Sequence, residues 1–352
     1  MHTFLLVNPI FVQKLNILAS VRDSFDSLLQ NLSKLYKKVR DEKKSALNDV
    51  AFLQSGSQNR NTLTMRYWVH PDNVMELKLY ILKNIPILVN TKNNKTNLCV
   101  STVYYDNKKL GLYKDIIEKV DGAEEIRLRW IESNDDSGVI IQRNVFSNNN
   151  GKLQRKKQEI ATKGKYVNSF ISGEYTPERK FFKPNEGSKA FMNEIKENSE
   201  IQASILETIN SRNLIPGILI FPPQIQRSSF GIFGDASVKM SLDTDVCMIR
   251  EDNFDGNERA GLDWKRVDVR NEYPFPNLPE RDICRFPYAI LKIKVSVVMG
   301  LNPPLWVNSL INCNLVEPVP NFSKYVHGVS ALLDNRVHLH PPWVRCSISK
   351  KK

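Results

Sequence analysis

Cationic side chains alternate with apolar ones in several short segments of this sequence. Arg127 and Arg129 do so in one segment, and Lys292 and Lys294 do so in another. Successive side chains of a β-strand point to opposite faces, so each pair of cations shares one face of its strand, opposite an apolar face. Arginine binds phosphate oxygens through a bidentate fork, and lysine binds them as a point charge. The pattern therefore predicts strands that pack on one face and bind a polyanion on the other.

The composition is that of a globular protein with a strong positive charge. Of the 352 residues, 41% are hydrophobic and 25% are charged, and the formal net charge is +12. A balance of this sign favours anionic partners such as nucleic acid, nucleotides, polyphosphate or acidic lipid. The five cysteines form no C-x-x-C pair, which indicates reduced thiols in a cytosolic setting and not a disulfide framework or a zinc site. No apolar run is long enough to span a membrane.

The strands that must position the cations are predicted along most of the chain. Loops rich in Asn, Asp, Gly and Ser separate them, as at residues 147–151. This spacing is typical of antiparallel hairpins and not of parallel strands joined by helices. The predicted strands cover residues 63–69, 98–105, 125–130, 138–146, 152–161, 218–221, 224–232, 237–242, 246–250 and 288–298.

Helices are predicted at both ends of the chain and between the strands. Apolar residues recur at helical spacing from residue 11 to residue 47, which predicts a long amphipathic helix packed on the main body. Pro71 opens a second helix, at a first-turn position that proline tolerates, and this helix continues to residue 84. Further helices are predicted at residues 187–212, 304–311 and 323–333, and an irregular loop at residues 252–282.

Several common catalytic motifs are absent from the sequence. There is no G-x-x-x-x-G-K-[ST] and no G-x-G-x-x-G, so ATP, if bound, is not held by a P-loop or a Rossmann turn. G-x-S-x-G and H-E-x-x-H are also absent, and the five histidines are scattered. His338 and His340 alternate close to the C-terminal tail, a context that argues against a metal site. No aromatic pattern of the RNA-binding RRM type is present.

Longer segments of the chain resemble the tunnel domain of the vacuolar transporter chaperone complex, the eukaryotic polyphosphate polymerase. They occur in the order of the family, and several long motifs in register form a far more specific signal than any single one. The segments are Arg66–Pro71, Ser101–Asn107, Gly122–Trp130, Ser241–Asp245, Arg250–Gly256, Arg285–Ala289 and Leu315–Lys324.

The resemblance implies a fold and a domain organisation. The family belongs to the triphosphate tunnel metalloenzymes, so we expect an α+β fold: an antiparallel β-barrel tunnel with flanking surface helices, whose lumen binds triphosphate with Mn²⁺ or a similar ion. The expected parts are an N-terminal amphipathic helix and linker (1–58), the tunnel domain (59–336) and a basic tail (337–352). Family members also carry an SPX domain before the tunnel domain and transmembrane helices after it. We therefore expect a fragment, or a chain that docks on membrane-bound partners.

The resemblance also implies a set of phosphate-binding residues. In the family, basic residues in the lumen hold the phosphates of the nucleotide and of the growing polymer. The implied ligands are thus polyphosphate and ATP or other nucleotide phosphates. The matching positions in this sequence are Arg66, Arg127, Arg129, Lys157, Lys163, Arg227, Lys239, Lys294 and Lys324.

The chain departs from the family pattern where the family binds its metal ion. The catalytic strand of the family reads L-E-V-K, and its glutamate is a metal ligand, but residues 291–294 read Leu-Lys-Ile-Lys. Lys292 has no lone pair to offer a divalent cation, which requires oxygen ligands. The other degenerate positions are Arg66, Gln142, Asn144 and Asn321, where the family has Lys, Glu, Lys and Lys.

Two hypotheses about catalysis follow. Phosphoryl transfer depends on positioning and on metal ions that neutralise charge, so loss of a metal ligand should impair turnover more than polyanion binding. The first hypothesis is a catalytically impaired accessory subunit that binds polyphosphate. The alternative is an active polymerase that transfers the γ-phosphate of ATP with Mn²⁺, held by other carboxylates such as Glu125, Asp243 or Glu317.

Two further function classes fit the sequence less well. RNA or inorganic triphosphatases of the tunnel type carry E-x-E-x-K on the first strand, and residues 62–66 lack both carboxylates. A general nucleic-acid binder would prefer a duplex and depend steeply on salt, whereas a tunnel prefers a thin linear polyanion. The resemblance favours polyphosphate over nucleic acid and implies other subunits of the complex as partners. It also implies a cytosolic location at the face of the vacuole or a similar acidic organelle, reached through those partners.

Overall fold

The structure is a computed structural model. It describes residues 27–39, 61–89, 97–131, 138–149, 152–174, 189–221, 226–232, 237–257, 259, 264, 275–297 and 303–344. The predicted N-terminal helix appears over residues 27–39, and the rest of its predicted length lies outside the described residues. Parts of the predicted loop at residues 252–282 and of the basic tail also lie outside them.

Strands and short helices succeed one another along the described chain. The helices are α1 (27–39), α2 (Val74–Asn84), α3 (Gly111–Ile117), α4 (Val167–Ile171), α5 (Lys189–Ser211), α6 (Leu305–Ile311) and α7 (Lys324–Leu332). The strands are β1 (Asn61–Val69), β2 (Asn97–Asp106), β3 (Ala123–Ile131), β4 (Gly138–Asn149), β5 (Lys152–Lys163), β6 (Ile215–Phe221), β7 (Gln226–Gly231), β8 (Val238–Thr244), β9 (Cys247–Arg250), β10 (Ile283–Arg285), β11 (Ala289–Val297) and β12 (Glu317–Pro318).

The strand predictions are confirmed in position and in pairing type. Every predicted strand coincides with an observed one to within a few residues, and the strand pairs within each sheet described below are antiparallel. The predicted helices at residues 71–84, 187–212, 304–311 and 323–333 are confirmed as well. The short helices α3 and α4 and the short strands β10 and β12 were not predicted, because each is too brief to show a periodic pattern.

One compact unit comprises Met1–Leu98, Gln226–Val246 and Pro287–Asn321. Its sheet has the strand order β7-β8-β11-β1-β12, with antiparallel neighbours throughout. The apolar face of this sheet packs in one core with side chains of α1, α2 and α6. Leu29 of α1 and Leu77 of α2 are buried there, and the Ser33 hydroxyl of α1 accepts a hydrogen bond from the backbone of Ile87 at 3.2 Å.

A second compact unit comprises Cys99–Ile225, Cys247–Phe286 and Phe322–Lys352. Its sheet has the strand order β10-β9-β6-β2-β3-β4-β5, again with antiparallel neighbours. Alternate residues of β3, namely Ile126, Leu128 and Trp130, are buried in a core that includes side chains of α4 and α5. The face predicted to be apolar is therefore the packed face of this sheet.

The start of α3 is fixed by Asp106, the last residue of β2. Asp106 is fully buried, and its carboxylate accepts hydrogen bonds from the backbone N–H groups of Asn107 at 2.7 Å, Leu112 at 2.9 Å and Tyr113 at 2.9 Å. The first N–H groups of a helix have no partner within it and need an acceptor of this kind. Leu110, the residue before α3, has a left-handed φ of 54° and no capping side chain, so Asp106 supplies the cap from a distance.

These observations establish the coarser part of the expected fold. The protein mixes helices with antiparallel sheets, and each sheet has one packed and one polar face. Neither sheet closes into a ring on its own within the described residues. Among the helices that the structure describes, none has the length and apolar character needed to cross a membrane.

Candidate polyanion-binding faces

The first polar face is the side of the sheet β7-β8-β11-β1-β12 that lies opposite the apolar core of this unit. Strand register places side chains on it in adjacent rows, since residues directly opposite each other in an antiparallel pair point to the same side. Its described polar and charged members include Thr64, Arg66, Arg227, Ser229, Lys239, Ser241, Asp243, Lys292, Lys294, Ser296 and Glu317. It thus brings together Arg66, Arg227, Lys239 and Lys294, four of the predicted phosphate-binding residues.

Two cation pairs stand directly opposite each other on the first polar face. Lys292 lies opposite Arg66 of β1, and Lys294 lies opposite Lys239 of β8. Like charges in directly opposed positions destabilise a sheet. Arg66, Lys292 and Lys294 are also half-buried, which reduces the screening of their mutual repulsion by water.

Arg227 and Asp243 occupy the neighbouring row of the same face. The guanidinium of Arg227 donates to both carboxylate oxygens of Asp243, at 2.6 Å and 2.8 Å. This bidentate geometry is the strong form of an ion pair. The fork neutralises much of the charge of Arg227 and occupies a carboxylate that sequence analysis named as a metal-ligand candidate.

The residues present do not fit a divalent metal ion on this face. Lys292 presents an ammonium where the family has a carboxylate, and Asp243 is held by Arg227. Glu317, another candidate ligand, is exposed on β12 opposite Trp68. Across the part of the chain that the structure describes, no three His, Cys, Asp or Glu side chains are grouped as a metal ion would need. Mn²⁺ requires several oxygen or nitrogen donors, and the residues of this face do not supply such a set.

The second polar face is the side of β2, β3, β4 and β5 that lies opposite the apolar core of this unit. Register places Tyr104, Arg127, Gln142 and Glu159 in one row across these strands. The described polar members of the face are Thr102, Tyr104, Glu125, Arg127, Arg129, Gln142, Asn144, Arg155, Lys157, Glu159 and Lys163. This face brings together Arg127, Arg129, Lys157 and Lys163 from the predicted set.

Arg127 is held in place by its neighbours in the row. Its Nε donates to Gln142 Oε1 at 2.6 Å, and a terminal nitrogen donates to the Tyr104 hydroxyl at 3.2 Å. Gln142 in turn donates to Glu159 at 3.3 Å. A neutral amide thus stands where the family has a carboxylate, so Gln142 orients Arg127 without neutralising it.

Glu125 and Asn144 form the next row of the second polar face. The Asn144 side-chain amide donates to Glu125 Oε1 at 2.7 Å, and a terminal nitrogen of Arg127 lies 3.5 Å from the same oxygen. Both Glu125 and Asn144 are buried. Glu125, the remaining metal-ligand candidate, therefore takes part in a hydrogen-bonded network on the sheet.

Arg155 also lies on the second polar face, although it is not among the phosphate-binding residues predicted from the sequence. Burial lowers the pKa of Arg155, and the positive charge of Arg127 lowers it further. Three cations follow one another at positions 155–157, so the alternation did not reveal which of them share the polar face. On that face, Lys157 forms an ion pair with Glu159.

Two of the predicted phosphate-binding residues, Lys163 of the second polar face and Lys324, lie at the ends of elements of the second unit. Lys163 ends β5, and Lys324 is the first residue of α7 and is half-buried. The hydroxyl of Ser323 caps α7 by accepting from the backbone of Val326 at 3.4 Å. Asn321, where the family has a lysine, has a left-handed φ of 59°, a conformation that asparagine adopts more readily than most residues.

Arg143 lies between Gln142 and Asn144 in sequence but on the opposite, packed face of the sheet. Its Nε donates to the Thr208 hydroxyl of α5 at 3.0 Å, and a terminal nitrogen donates to Gln158 at 2.7 Å. The other terminal nitrogen contacts Glu124. Arg143 therefore attaches α5 to the sheet, whereas its two neighbours in sequence lie on the polar face.

A further charged cluster in the second unit is structural. Arg250 holds Asp252 through two hydrogen bonds of 2.9 Å and 2.7 Å, and Arg259 contacts Asp255 at 2.7 Å and Asp282 at 3.0 Å. The guanidinium of Arg259 holds the pKa of Asp255 well below its usual range. Each carboxylate of the cluster is thus neutralised by an arginine of the same unit.

Comparisons with known proteins agree with the earlier resemblance. The chain is 40% identical to vacuolar transporter chaperone complex subunit 4 of Schizosaccharomyces pombe over 97% of its length and 47% of that protein. It is 29% identical to subunit 2 of the same complex and organism, over 96% of its length and 48% of that protein. The chain thus spans about half the length of these curated relatives.

The comparison with solved structures and the comparison with protein families differ in strength. The PH1819 protein of Pyrococcus horikoshii OT3 aligns with 78% of this chain and 99% of its own, at 11% identity and a TM-score of 0.33, which is too low to carry an argument. The family described as the VTC domain matches residues 61–333, which include both sheets and both polar faces. The chain therefore belongs to the VTC domain family.

Proposed function

We propose that this chain binds polyphosphate, and the phosphates of ATP or other nucleotides, on its two polar faces. In this proposal it serves polyphosphate synthesis as a catalytically impaired accessory subunit of a vacuolar transporter chaperone complex. The observation that carries the proposal is the position of Lys292 opposite Arg66, because it puts a cation pair where a metal-binding carboxylate would stand. Such a pair favours an anion and disfavours a metal ion.

The second polar face supports the same ligand class. Gln142 and Tyr104 fix the guanidinium of Arg127 on a rigid strand, and Arg155 adds a nearby cation whose pKa is already lowered. Oriented arginines on rigid elements suit phosphate oxygens, which accept bidentate hydrogen bonds. An antiparallel β-barrel tunnel is the fold that the proposal expects.

Partners and location belong to the proposal as well. The relatives are named as subunits of one complex, which supports other subunits of such a complex as partners of this chain. The vacuolar part of those names supports a place at the cytosolic face of a vacuole or similar organelle.

Binding of linear polyphosphate tests the ligand class. We expect the purified chain to bind polyphosphate in isothermal titration calorimetry with an affinity that falls as salt rises, because the contacts are ionic. We also expect weaker binding to duplex DNA of equal total charge. Replacing Arg66 with Ala should weaken polyphosphate binding, whereas replacing the exposed Lys83 of α2 should not. Absence of polyphosphate binding, or a preference for the duplex, would refute the proposed ligand.

A synthesis assay tests the catalytic state separately. The purified chain is incubated with ATP carrying a labelled γ-phosphate, Mn²⁺ and a short polyphosphate primer, and acid-insoluble label is counted. We expect no incorporation above that of heat-denatured protein. Sustained, Mn²⁺-dependent incorporation would show an active polymerase and refute the accessory role, while leaving polyphosphate as the ligand.

A further inference from the structure

We propose that α1 carries a docking site for a second helix, an amphipathic one with acidic flanks that belongs to a partner protein. The site is a line of exposed apolar side chains, the α1 stripe, formed by Leu28, Leu35 and Val39. The α1 stripe lies on a different side of the helix from the residues that pack on the first unit. It serves assembly with another protein and not the binding of an anion on the polar faces.

One side of α1, its packed side, is bound to the first unit. Leu29 is buried in the core of that unit, and Tyr36 is partly buried against the same core. The buried hydroxyl of Ser33 accepts a hydrogen bond from the backbone of Ile87 at 3.2 Å. Residues spaced by four and by three positions lie on one face of a helix, so these three side chains form a single line. The orientation of α1 about its own axis is therefore fixed.

The α1 stripe runs along another side of the helix. Leu28 is 47% exposed, Leu35 is 59% exposed and Val39 is 47% exposed. A single exposed leucine is ordinary, but three large apolar side chains in one line form a patch. At 3.6 residues per turn they lie within about 40° of one another and about 100° around the helix from the packed side. Leu32, which is partly buried against the core, lies between the two.

The spacing of the α1 stripe indicates a helix as its occupant. Apolar residues fill seven successive positions at alternating intervals of three and four residues, namely Leu18, Val21, Phe25, Leu28, Leu32, Leu35 and Val39. This is the heptad spacing of a coiled-coil seam. The first three positions lie outside the described residues, and their place in the seam rests on the sequence alone. A partner helix that follows the seam would cover the α1 stripe along its length.

The width of the α1 stripe argues against a lipid surface. A helix that buries one broad side presents an apolar face at least about 100° wide, whereas a coiled-coil seam is narrower. The exposed apolar arc of α1 spans only about 40°, because Leu29 and Tyr36 are used in packing on the first unit. A narrow seam suits the side chains of one neighbouring helix.

The charges beside the α1 stripe select an acidic partner. Lys34, Lys37 and Lys38 are exposed, and residues 27–39 include no Asp or Glu. Two copies of α1 would bring these positive charges together, and in a parallel pair the heptad would set Lys38 against Lys43 of the other copy. A partner helix with Glu or Asp along the edges of its seam would form ion pairs with the lysines instead.

The test uses three labelled synthetic peptides of about four heptads each. The first has Ile at a, Leu at d and Glu at e and g, the second has Lys in place of Glu, and the third has the acidic composition in scrambled order. Binding to the purified chain is measured by fluorescence anisotropy. We expect the acidic heptad peptide to bind at least about tenfold more tightly than the other two.

Two pairs of matched variants locate the binding. Leu35→Gln should raise the Kd of the acidic heptad peptide at least about tenfold, whereas Leu305→Gln, the same change at an exposed position of α6, should stay within about threefold of the wild type. Lys38→Glu should raise the Kd at least about threefold, and Lys83→Glu, at an exposed position of α2, should raise it less.

Four results would overturn the proposal. The first is no binding of the acidic heptad peptide, and the second is equal binding of the scrambled one. The third is an equal effect of Leu35→Gln and Leu305→Gln. The fourth is another occupant, shown by a wild-type dimer in light scattering, or by binding to vesicles of phosphatidylcholine and phosphatidylserine, that Leu35→Gln abolishes. If circular dichroism shows that Leu35→Gln is unfolded, Leu28→Gln replaces it under the same criteria.

Discussion

The hydroxyl of Tyr325 on α7 donates a hydrogen bond to the carboxylate of Asp106 at the end of β2, across 219 positions of sequence. The ring of Tyr325 stacks on Tyr104 with centroids 5.0 Å apart, and the Tyr104 hydroxyl accepts from Arg127 at 3.2 Å. A continuous set of contacts therefore runs from the cap of α3 to the guanidinium of the second polar face.

This connection makes Asp106 important for stability. Replacement of Asp106 with Ala removes the acceptor of three backbone N–H groups and of the Tyr325 hydroxyl, all in a buried place. We expect the free energy of unfolding to fall by about 3 kcal/mol. Tyr325→Phe keeps the ring stack and loses one hydrogen bond, so we expect a fall of about 1–2 kcal/mol.

Urea denaturation followed by circular dichroism measures both changes. The exposed Lys109, between β2 and α3, gives a matched control, and Lys109→Ala should change stability by less than about 0.5 kcal/mol. A loss for Asp106→Ala no greater than that of the control would contradict the capping role.

Two arginines that lie on opposite faces of the same sheet should differ in their roles, one in ligand binding and the other in stability. Arg127 lies on the second polar face, whereas Arg143 attaches α5 to the packed face through Thr208. We expect Arg127→Ala to weaken polyphosphate binding by about tenfold, and to lower stability less than Arg143→Ala does because Glu125 keeps the hydrogen bond from Asn144. We expect Arg143→Ala to lower stability by about 1–3 kcal/mol, because Glu124 is left buried without its partner, and to leave the Kd within about threefold.

The comparison uses two arginine-to-alanine changes that remove the same charge. Calorimetric titration gives the Kd, and thermal unfolding gives the stability. The opposite pattern, with Arg143→Ala the weaker binder and Arg127→Ala the less stable variant, would show that the two faces are exchanged.

The fork between Arg227 and Asp243 predicts a variant that binds more tightly. In Asp243→Asn the carboxylate charge is lost, and the guanidinium becomes available to a phosphate group. We expect the affinity for polyphosphate to rise by about threefold to tenfold, because the carboxylate that competes with phosphate for the guanidinium has lost its charge. Titration of wild type and variant at the same salt concentration measures the change. Weaker binding by a folded variant would argue that Asp243 positions Arg227 for the ligand.

His327 predicts a pH dependence of stability. Burial lowers the pKa of His327 to about 4, against 6.5 for an unburied histidine. Between these values the unfolded chain binds more protons at this residue than the folded one, so its contribution is present above pH 6.5 and is lost as the pH falls towards 4. The loss amounts to at most about 3 kcal/mol.

A double comparison isolates that contribution. His327 packs edge-on against Phe286, with ring centroids 4.9 Å apart, and its Nδ1 is buried without a hydrogen-bond partner, so His327→Phe keeps a ring in place and removes the titrating group. The unfolding free energy of the wild type should fall relative to that of the variant as the pH drops from 7 to 4.5. A constant difference for His327→Phe would contradict the lowered pKa.

The faces of the strands could be predicted from sequence because alternation is a local property. Leu128 and Arg129 point to opposite sides wherever β3 is placed, and the structure confirms the division for β3 and β11. The same reasoning separates Lys292 and Lys294 from the buried Leu291.

Register could not be predicted, because it is set by packing between distant segments. Nothing near Arg66 in the sequence indicates that Lys292 lies opposite it, and the fork between Arg227 and Asp243 likewise depends on the pairing of β7 with β8. Asp106 precedes a polar turn and resembles an ordinary turn residue. Its role as the cap of α3 and partner of Tyr325 depends on the folded chain.

The pairing of β1 with β11 has a consequence for how the protein is made. The partner of residues 61–69 is residues 289–297, so β1 leaves the ribosome long before β11 exists. At roughly 5–20 residues per second the wait is on the order of tens of seconds. During that time Tyr67 and Val69, which are buried in the finished protein, have no β11 to pack beside. Nascent chains of this topology are therefore exposed to aggregation until residue 297 has been translated.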